Sequence, residues 1–396
     1  MDAYLLDWAS LVLRWAHLVA GIAWIGASFY FIWLDDSLET PKRAEDRARG
    51  VAGELWAVHG GGFYRAEKYA LAPPELPERL HWFKWEAYWT WLTGFALLVL
   101  LYYANAETYL IDPQVMPLAK SQAIGLGLAS LVLGVAVYEG LCRSPLGRND
   151  AALAAALLVF LAALAWALTQ VFGGRGAFLH YGAVIGTIMA ANVGHVIIPG
   201  QRELVRAMRE GRAPDPKYAI AAKQRSVHNT YLTLPVLFTM ISSHYATAFA
   251  SRWNWLVLVA LTVAGALVRV WFVMRHKGRP PAWPLAAAAA IFAALLWLLA
   301  PRESAPAGPP VAFAEVERVI AARCASCHAA RPAFPGLAEA PKGVLLDTPE
   351  RIRQHASAIH QQTVLARAMP PGNVSAMSDE ERLLLDRWYR AGARTP

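Results

Sequence analysis

The chain has 396 residues, of which 56% are hydrophobic and only 17% charged, and its mean hydropathy is +0.31. Soluble domains carry about 25% charged residues, so the composition excludes a wholly soluble enzyme and a disordered chain. The formal net charge is +8, but the basic residues fall between apolar runs, which suits orientation in a membrane and gives no sign of a nucleic-acid partner.

Eight apolar runs are long enough to cross a bilayer, which takes about 20 helical residues. They lie near 10–34, 86–104, 121–141, 150–172, 177–199, 227–250, 253–274 and 282–300. No cleavable signal peptide is evident, because the first run lacks a basic leader and a small-residue cleavage site. The loops 35–85, 142–149, 200–226 and 275–281 together hold 20 Lys and Arg. The opposite loops hold Lys120, Arg175 and Arg252, with Arg302 after the last run. This asymmetry places the N-terminus outside, and eight spans return the C-terminus to the same side. Within the 35–85 segment, a cytoplasmic cap, residues 39–57 read as an amphipathic helix with interleaved charge. Gly60-Gly61-Gly62 then breaks it and Pro73-Pro74 and Pro77 punctuate the rest. The triglycine lacks the Gly-Lys-Ser of a phosphate loop.

Ionisable residues inside spans are costly and mark candidate sites. The topology puts His17, His180 and His244 towards the outer face, His195 and His228 towards the inner face, and His81 and His276 at the boundary. Two polar clusters stand out. Thr187 to His195 runs along the fifth span, with Asn192 and His195 on one face. Ser226 to Thr233 opens the sixth, where Pro235 frees backbone groups. His228, Asn229 and His195 are the candidate catalytic residues, a His being able to take a proton. Asn192, Thr230, Tyr231 and Arg269 are the candidate substrate-binding groups. Glu139 and Arg269 could pair, Glu86 starts the second span, and Arg14 sits on the face of His17, where it could snorkel. Facing His pairs could also hold a b-type haem or copper. The bland reading of each His is a helix–helix hydrogen bond.

Composition shifts at 301–310, PRESAPAGPP, a Pro-rich linker. Residues 311–396 read as a small soluble domain containing Cys324-Ala325-Ser326-Cys327-His328. The C-x-x-C-H pattern marks covalent haem c attachment, with Cys324 and Cys327 joining the haem vinyls and His328 ligating iron. A redox C-x-x-C or half a zinc site are the alternatives. The third Cys, Cys142, reads as an interfacial thiol, so no disulfide framework is indicated. Met369, in Ala368-Met369-Pro370-Pro371-Gly372-Asn373, is the candidate second axial ligand, a thioether that raises the potential. Met377, His355 and His360 are alternatives. Ser378-Asp379-Glu380-Glu381 opens the last helix as a capping box. The fold class is therefore all-α: a polytopic bundle of about eight transmembrane helices over 1–300, then a small class I cytochrome c. Haem c is attached outside the bacterial inner membrane, the side on which the loop charges place this tail.

With RWAHLVAGIAWIG, GTIMAANV and HNTYLTLPVLF in the spans, and CASCH and RAMPPGN in the tail, the chain resembles the bacterial membrane-bound, cytochrome c-fused urate oxidases over essentially its full length. The resemblance implies oxidation of urate to 5-hydroxyisourate in purine breakdown, with the oxygen taken from water. The electrons would leave through the haem to a terminal oxidase or soluble cytochrome, without hydrogen peroxide. It does not name the catalytic residues. Urate yields two electrons and one haem c takes one at a time, so an additional b-type haem in the bundle is the second cofactor reading. An inner urate site would need a relay to an outer haem; an outer site near His17 would not. The alternative function is a quinol- or copper-linked electron-transfer protein with a cytochrome c outlet.

Overall fold

The computed structural model describes residues 2–278, 281–300, 311–335 and 337–395. The Pro-rich segment 301–310, with Arg302, lies outside them. The bundle consists of α1 (Asp2–Ser37), α2 (Trp85–Leu97, continued by a π turn at Leu98–Tyr103) and the short α3 (Ala106–Tyr109). It continues with α4 (Lys120–Arg143), α5 (Asp150–Val171) and α6 (Gly174–Arg209, with a π turn at Asn192–Ile197). The last bundle helices are α7 (Pro216–Ser242), α8 (Asn254–His276) and α9 (Trp283–Leu299).

Each of the eight apolar runs is helical over most of its length. Among the described residues five helices, α1, α4, α5, α6 and α8, are both long and apolar enough to cross a membrane. α9 is apolar but shorter, at 17 residues. The sixth run is shifted: α7 starts earlier, taking in Lys217, Lys223 and Arg225, and ends at Ser242 before a separate turn of helix at Ala246–Phe249. Asp215 sets that early start, its carboxylate accepting from Lys217 N at 3.0 Å with Pro216 as the first helical residue. Large apolar side chains cover the outside of the bundle: Leu11, Trp15 and Leu18 on α1, Val132 and Leu133 on α4, and Val159 on α5 are all exposed. Contiguous apolar surface on this scale is stable in lipid and aggregates in water. The inside is close-packed around α6, where Phe178, Tyr181, Val184, Ile185 and Ile188 are buried.

The expected helix over 39–57 is corrected. Only Ala44–Ala48 is helical there. Val51–His59 (β1) and Gly62–Tyr69 (β2) form an antiparallel hairpin, with Trp56 opposite Arg65 and His59 opposite Gly62. Gly60 and Gly61 both have positive φ, 56° and 81°, as a two-residue turn of the tight hairpin class demands. Arg65 locks the hairpin, bridging Asp46, Glu54 (2.5 Å) and Glu67 (3.1 Å). The all-α expectation therefore holds apart from this hairpin.

Ion pairs gather the cationic loops at one end of the bundle. Asp35 meets Lys68 and, at 3.4 Å, Lys223, while Asp36 meets Lys277 at 3.6 Å. The tail sits at the other end. Its helices α10 (Phe313–Arg323), α11 (Ala325–His328), α12 (Pro349–Gln354) and α13 (Asp379–Arg390) surround a core of Val316, Ile320, Ile352, Met377, Leu385 and Trp388. Ser378 and Glu381 form the expected capping box of α13.

Candidate functional site

A cavity of about 280 Å³ opens between α1, α2, α6 and α7. Small residues make the room: Gly21, Gly94, Gly182 and Gly186 all line it. Gly94 also lets α1 and α2 approach, since a Cβ there would lie 2.8 Å from His17 Cε1. Trp91 and Phe95, one turn apart on α2, lie parallel at 5.3 Å and 10° on one wall. Trp91 is fixed by its indole N–H, which donates to Thr187 Oγ1 at 3.1 Å.

His17 lines the same space. Its Nδ1 lies 3.0 Å from Thr90 O and 3.1 Å from Thr93 Oγ1. A carbonyl only accepts, and the Thr93 hydroxyl donates to Trp89 O at 2.6 Å. The proton therefore belongs on Nδ1, which leaves Nε2 as the basic nitrogen. Arg14 and Arg175 also line it, with Thr90, Thr187, Thr239 and Ser243, and among the described residues no Asp or Glu does. Arg175 lies over the Tyr109 ring at 5.0 Å, and its Nε is buried without a hydrogen-bond partner. Among the described residues neither arginine is in an ion pair. Two uncompensated cations beside an apolar cavity favour an anionic occupant.

The polar clusters expected from sequence meet only in part. Asn192 Nδ2 donates to Asn229 Oδ1 and to Tyr138 OH, both at 2.9 Å, and Asn229 Nδ2 donates to Met189 O at 3.0 Å. Tyr138 OH lies 2.7 Å from His228 Nδ1. Asn192, Asn229 and His228 are thus joined, and the join cross-links α4, α6 and α7. Tyr138, its hub, went unread in sequence; its only signal is an aromatic hydroxyl beside Glu139 at the polar end of an apolar run. His195 is not part of this cluster. The π turn at Asn192–Ile197 breaks the three-residue spacing that puts it on the face of Asn192, and its side chain is exposed. Thr230 is buried with its hydroxyl unpartnered, and Tyr231 is half-buried. Arg269 is 3% exposed, lies 3.8 Å from the Phe29 ring centre, and has no partner for Nε and Nη2. The expected Glu139–Arg269 pair does not form: Glu139 pairs with Arg225 at 2.9 Å and Arg143 at 2.6 Å.

Of the outer histidines only His17 reaches the cavity. His180 is fully buried, with Nε2 3.1 Å from Tyr103 OH and Nδ1 2.9 Å from Gly176 O. Its ring packs against Phe172 at 4.8 Å. His244 is exposed. Both nitrogens of His180 being engaged, this trio does not offer the facing pair that a b-type haem needs.

In the tail, Cys324 and Cys327 are unpaired thiols on one turn, where Cys327 N and His328 N reach Cys324 O at 3.1 and 2.9 Å. His328 Nδ1 lies 3.0 Å from Val344 O, which fixes the tautomer and leaves Nε2 free for a metal. Burial pushes the Cys324 thiol up to about 12, opposite to the lowered value of redox-active C-x-x-C thiols. Among the described residues no three His, Cys, Asp or Glu side chains gather as a metal cage, so the zinc alternative gains no support. The residues present fit haem c. Met369 is half-buried and held through its carbonyl, which accepts from Arg382 Nη1 at 3.0 Å. Met377 is wholly buried in the tail core. His360 is bound to Asp386 at 2.7 Å and stacked on Tyr389 at 4.3 Å.

A family model described as urate oxidase N-terminal matches residues 3–300. No curated protein and no solved structure matches the chain.

Proposed function

The chain belongs to the urate oxidase N-terminal family, and we propose that it is a membrane-bound oxidoreductase converting urate to 5-hydroxyisourate in the cavity beside His17. The observation that carries this reading is the joint presence there of two guanidiniums in no ion pair among the described residues, a parallel aromatic pair and a basic imidazole nitrogen. Urate at neutral pH is a flat monoanion. Arg175 and Arg14 supply the charge that holds it, Trp91 and Phe95 offer flat surfaces, and His17 Nε2 takes a proton as a water oxygen joins the ring.

Cys324, Cys327 and His328 would hold a haem c, with Met369 as the candidate further ligand, and that group would supply a one-electron acceptor. A terminal oxidase or a soluble cytochrome would then take the electrons. We place the chain in a bacterial inner membrane with eight spans, the cation-rich hairpin end in the cytoplasm and the tail in the periplasm. Loop charge and the exposed apolar helix faces support that placement.

The joined His228, Asn229 and Asn192, with Thr230, Tyr231 and Arg269 as further candidates, are a second reading of the substrate site, favoured by the unpartnered nitrogens of Arg269 and the Thr230 hydroxyl. One experiment separates the two. Urate is added anaerobically to the oxidised holoprotein in detergent while the haem spectrum is followed. His17→Ala should abolish reduction by urate but not by dithionite, and His228→Ala should leave most of it. The reverse pattern moves the site to the inner cluster. A wild-type haem reduced by quinol and not by urate would replace the urate reading with the electron-transfer alternative.

A further inference from the structure

The 371–377 loop seats the tail on the bundle. Gly372, at φ +56°, lies so close to α3 that a Cβ on it would come within 2.1 Å of Thr108 O and 3.4 Å of Ile111 O. Nearby, Gln114 Nε2 donates to Met377 O at 2.8 Å. The other side of the loop is bound to the haem-attachment turn. Arg323 Nη1 donates to Ser375 O at 2.5 Å, the Ser375 hydroxyl donates back to Arg323 O at 2.9 Å, and Cys324 follows. Next to Thr108 on α3 is Tyr109, whose ring lines the cavity 6.0 Å from Tyr102. The 371–377 loop therefore lies between the cavity wall and Cys324, the residue that would carry the haem.

We propose that Tyr109 and the 371–377 loop form the electron exit, Tyr109 as the wall that the electrons cross and the loop as the element that positions the haem against it. The inference rests on the urate reading above. Urate and water give 5-hydroxyisourate, two protons and two electrons. The electrons leave singly to ferric haem c, and an external oxidised cytochrome or terminal oxidase restores the ferric state between them. Electronic coupling falls steeply with separation, so the seam must stay in contact. A glycine at 372 permits both the positive φ and the approach.

The test uses the full holoprotein, made anaerobic and mixed rapidly with urate or, separately, with dithionite. Gly372→Ala, Gln114→Ala and Tyr109→Leu should each slow urate-driven haem reduction at least about tenfold, the scale on which small misplacements act. Dithionite reduction, the haem spectrum and the midpoint potential should stay as in the wild type. Urate affinity by calorimetry should be unchanged for Gly372→Ala and Gln114→Ala, while hydrogen exchange of residues 104–116 rises. If Gly372→Ala loses haem, Gln114→Ala, which alters the bundle side only, carries the test. Faster exchange with an unchanged urate-driven rate overturns the proposal, as does equal slowing with dithionite. Failure of the wild-type haem to respond to urate overturns the urate reading, and a seam shown by exchange to be closed would stand as structure only.

Discussion

Arg175 sits over the Tyr109 ring but, among the described residues, is in no ion pair, so its worth to a bound anion is large. A charged hydrogen bond contributes about 1.5–3 kcal/mol, and Arg175→Gln should raise the urate KM about ten- to hundredfold with a smaller change in kcat. The two tail methionines should separate cleanly. Met369→Ala should lower the haem potential while covalent haem is retained, as potentiometry would show. Met377 is fully buried in the tail core, and Met377→Ala should cost about 2–5 kcal/mol in stability, read by thermal unfolding of the holoprotein. An unchanged potential in Met369→Ala, with a fall in Met377→Ala, would exchange their roles. Little of the cavity was legible at this scale. The C-x-x-C-H turn announces itself because its residues are contiguous. The cavity is made by glycines on helices far apart in sequence, and Gly94 gains meaning only when His17 is seen against it.

Among the elements, the apolar runs were readable because a helix that crosses lipid needs an unbroken window of apolar residues. The hairpin was not. Its charges recur at three- and four-residue intervals and imitate an amphipathic helix, while Gly60-Gly61 reads equally as a helix stop or as a tight turn. What decides for strand is non-local: Arg65 on β2 must meet Asp46 and Glu54. Hydrogen bonds from Arg49 and Arg65 hold the Asp46 carboxyl below the usual carboxylate range, and the Lys42 backbone N–H and Arg65 do so for Glu54. A depressed folded value means that these groups stabilise the cap above their unfolded pKa and lose that effect as pH falls through the folded value. Hydrogen exchange over residues 44–69 should therefore stay slow through neutral and mildly acidic pH and rise only below the ordinary carboxylate range. Arg65→Ala should abolish this protection at neutral pH without affecting haem attachment.

For the whole molecule, the two ends of the bundle differ in kind. Ion pairs from Asp35 and Asp36 close the hairpin end, whereas Arg14, Tyr109, Arg175 and Ser243 put the polar rim of the cavity at the tail end. Sealed right-side-out vesicles should accordingly oxidise added urate at once, and inverted vesicles only after permeabilisation. The reverse pattern, with inverted vesicles active at once and right-side-out ones latent, would place the site at the hairpin end, with the cluster around Asn229.

The shared end has an energetic consequence. On the proposed reading, urate and water enter, protons depart and electrons are handed on, all at one face of the bilayer. No charge then traverses the lipid during turnover, so the reaction is electrically silent. A potassium diffusion potential imposed across proteoliposomes should neither drive nor brake it, and on this reading any conserved energy comes from the steps beyond the protein that accept its electrons.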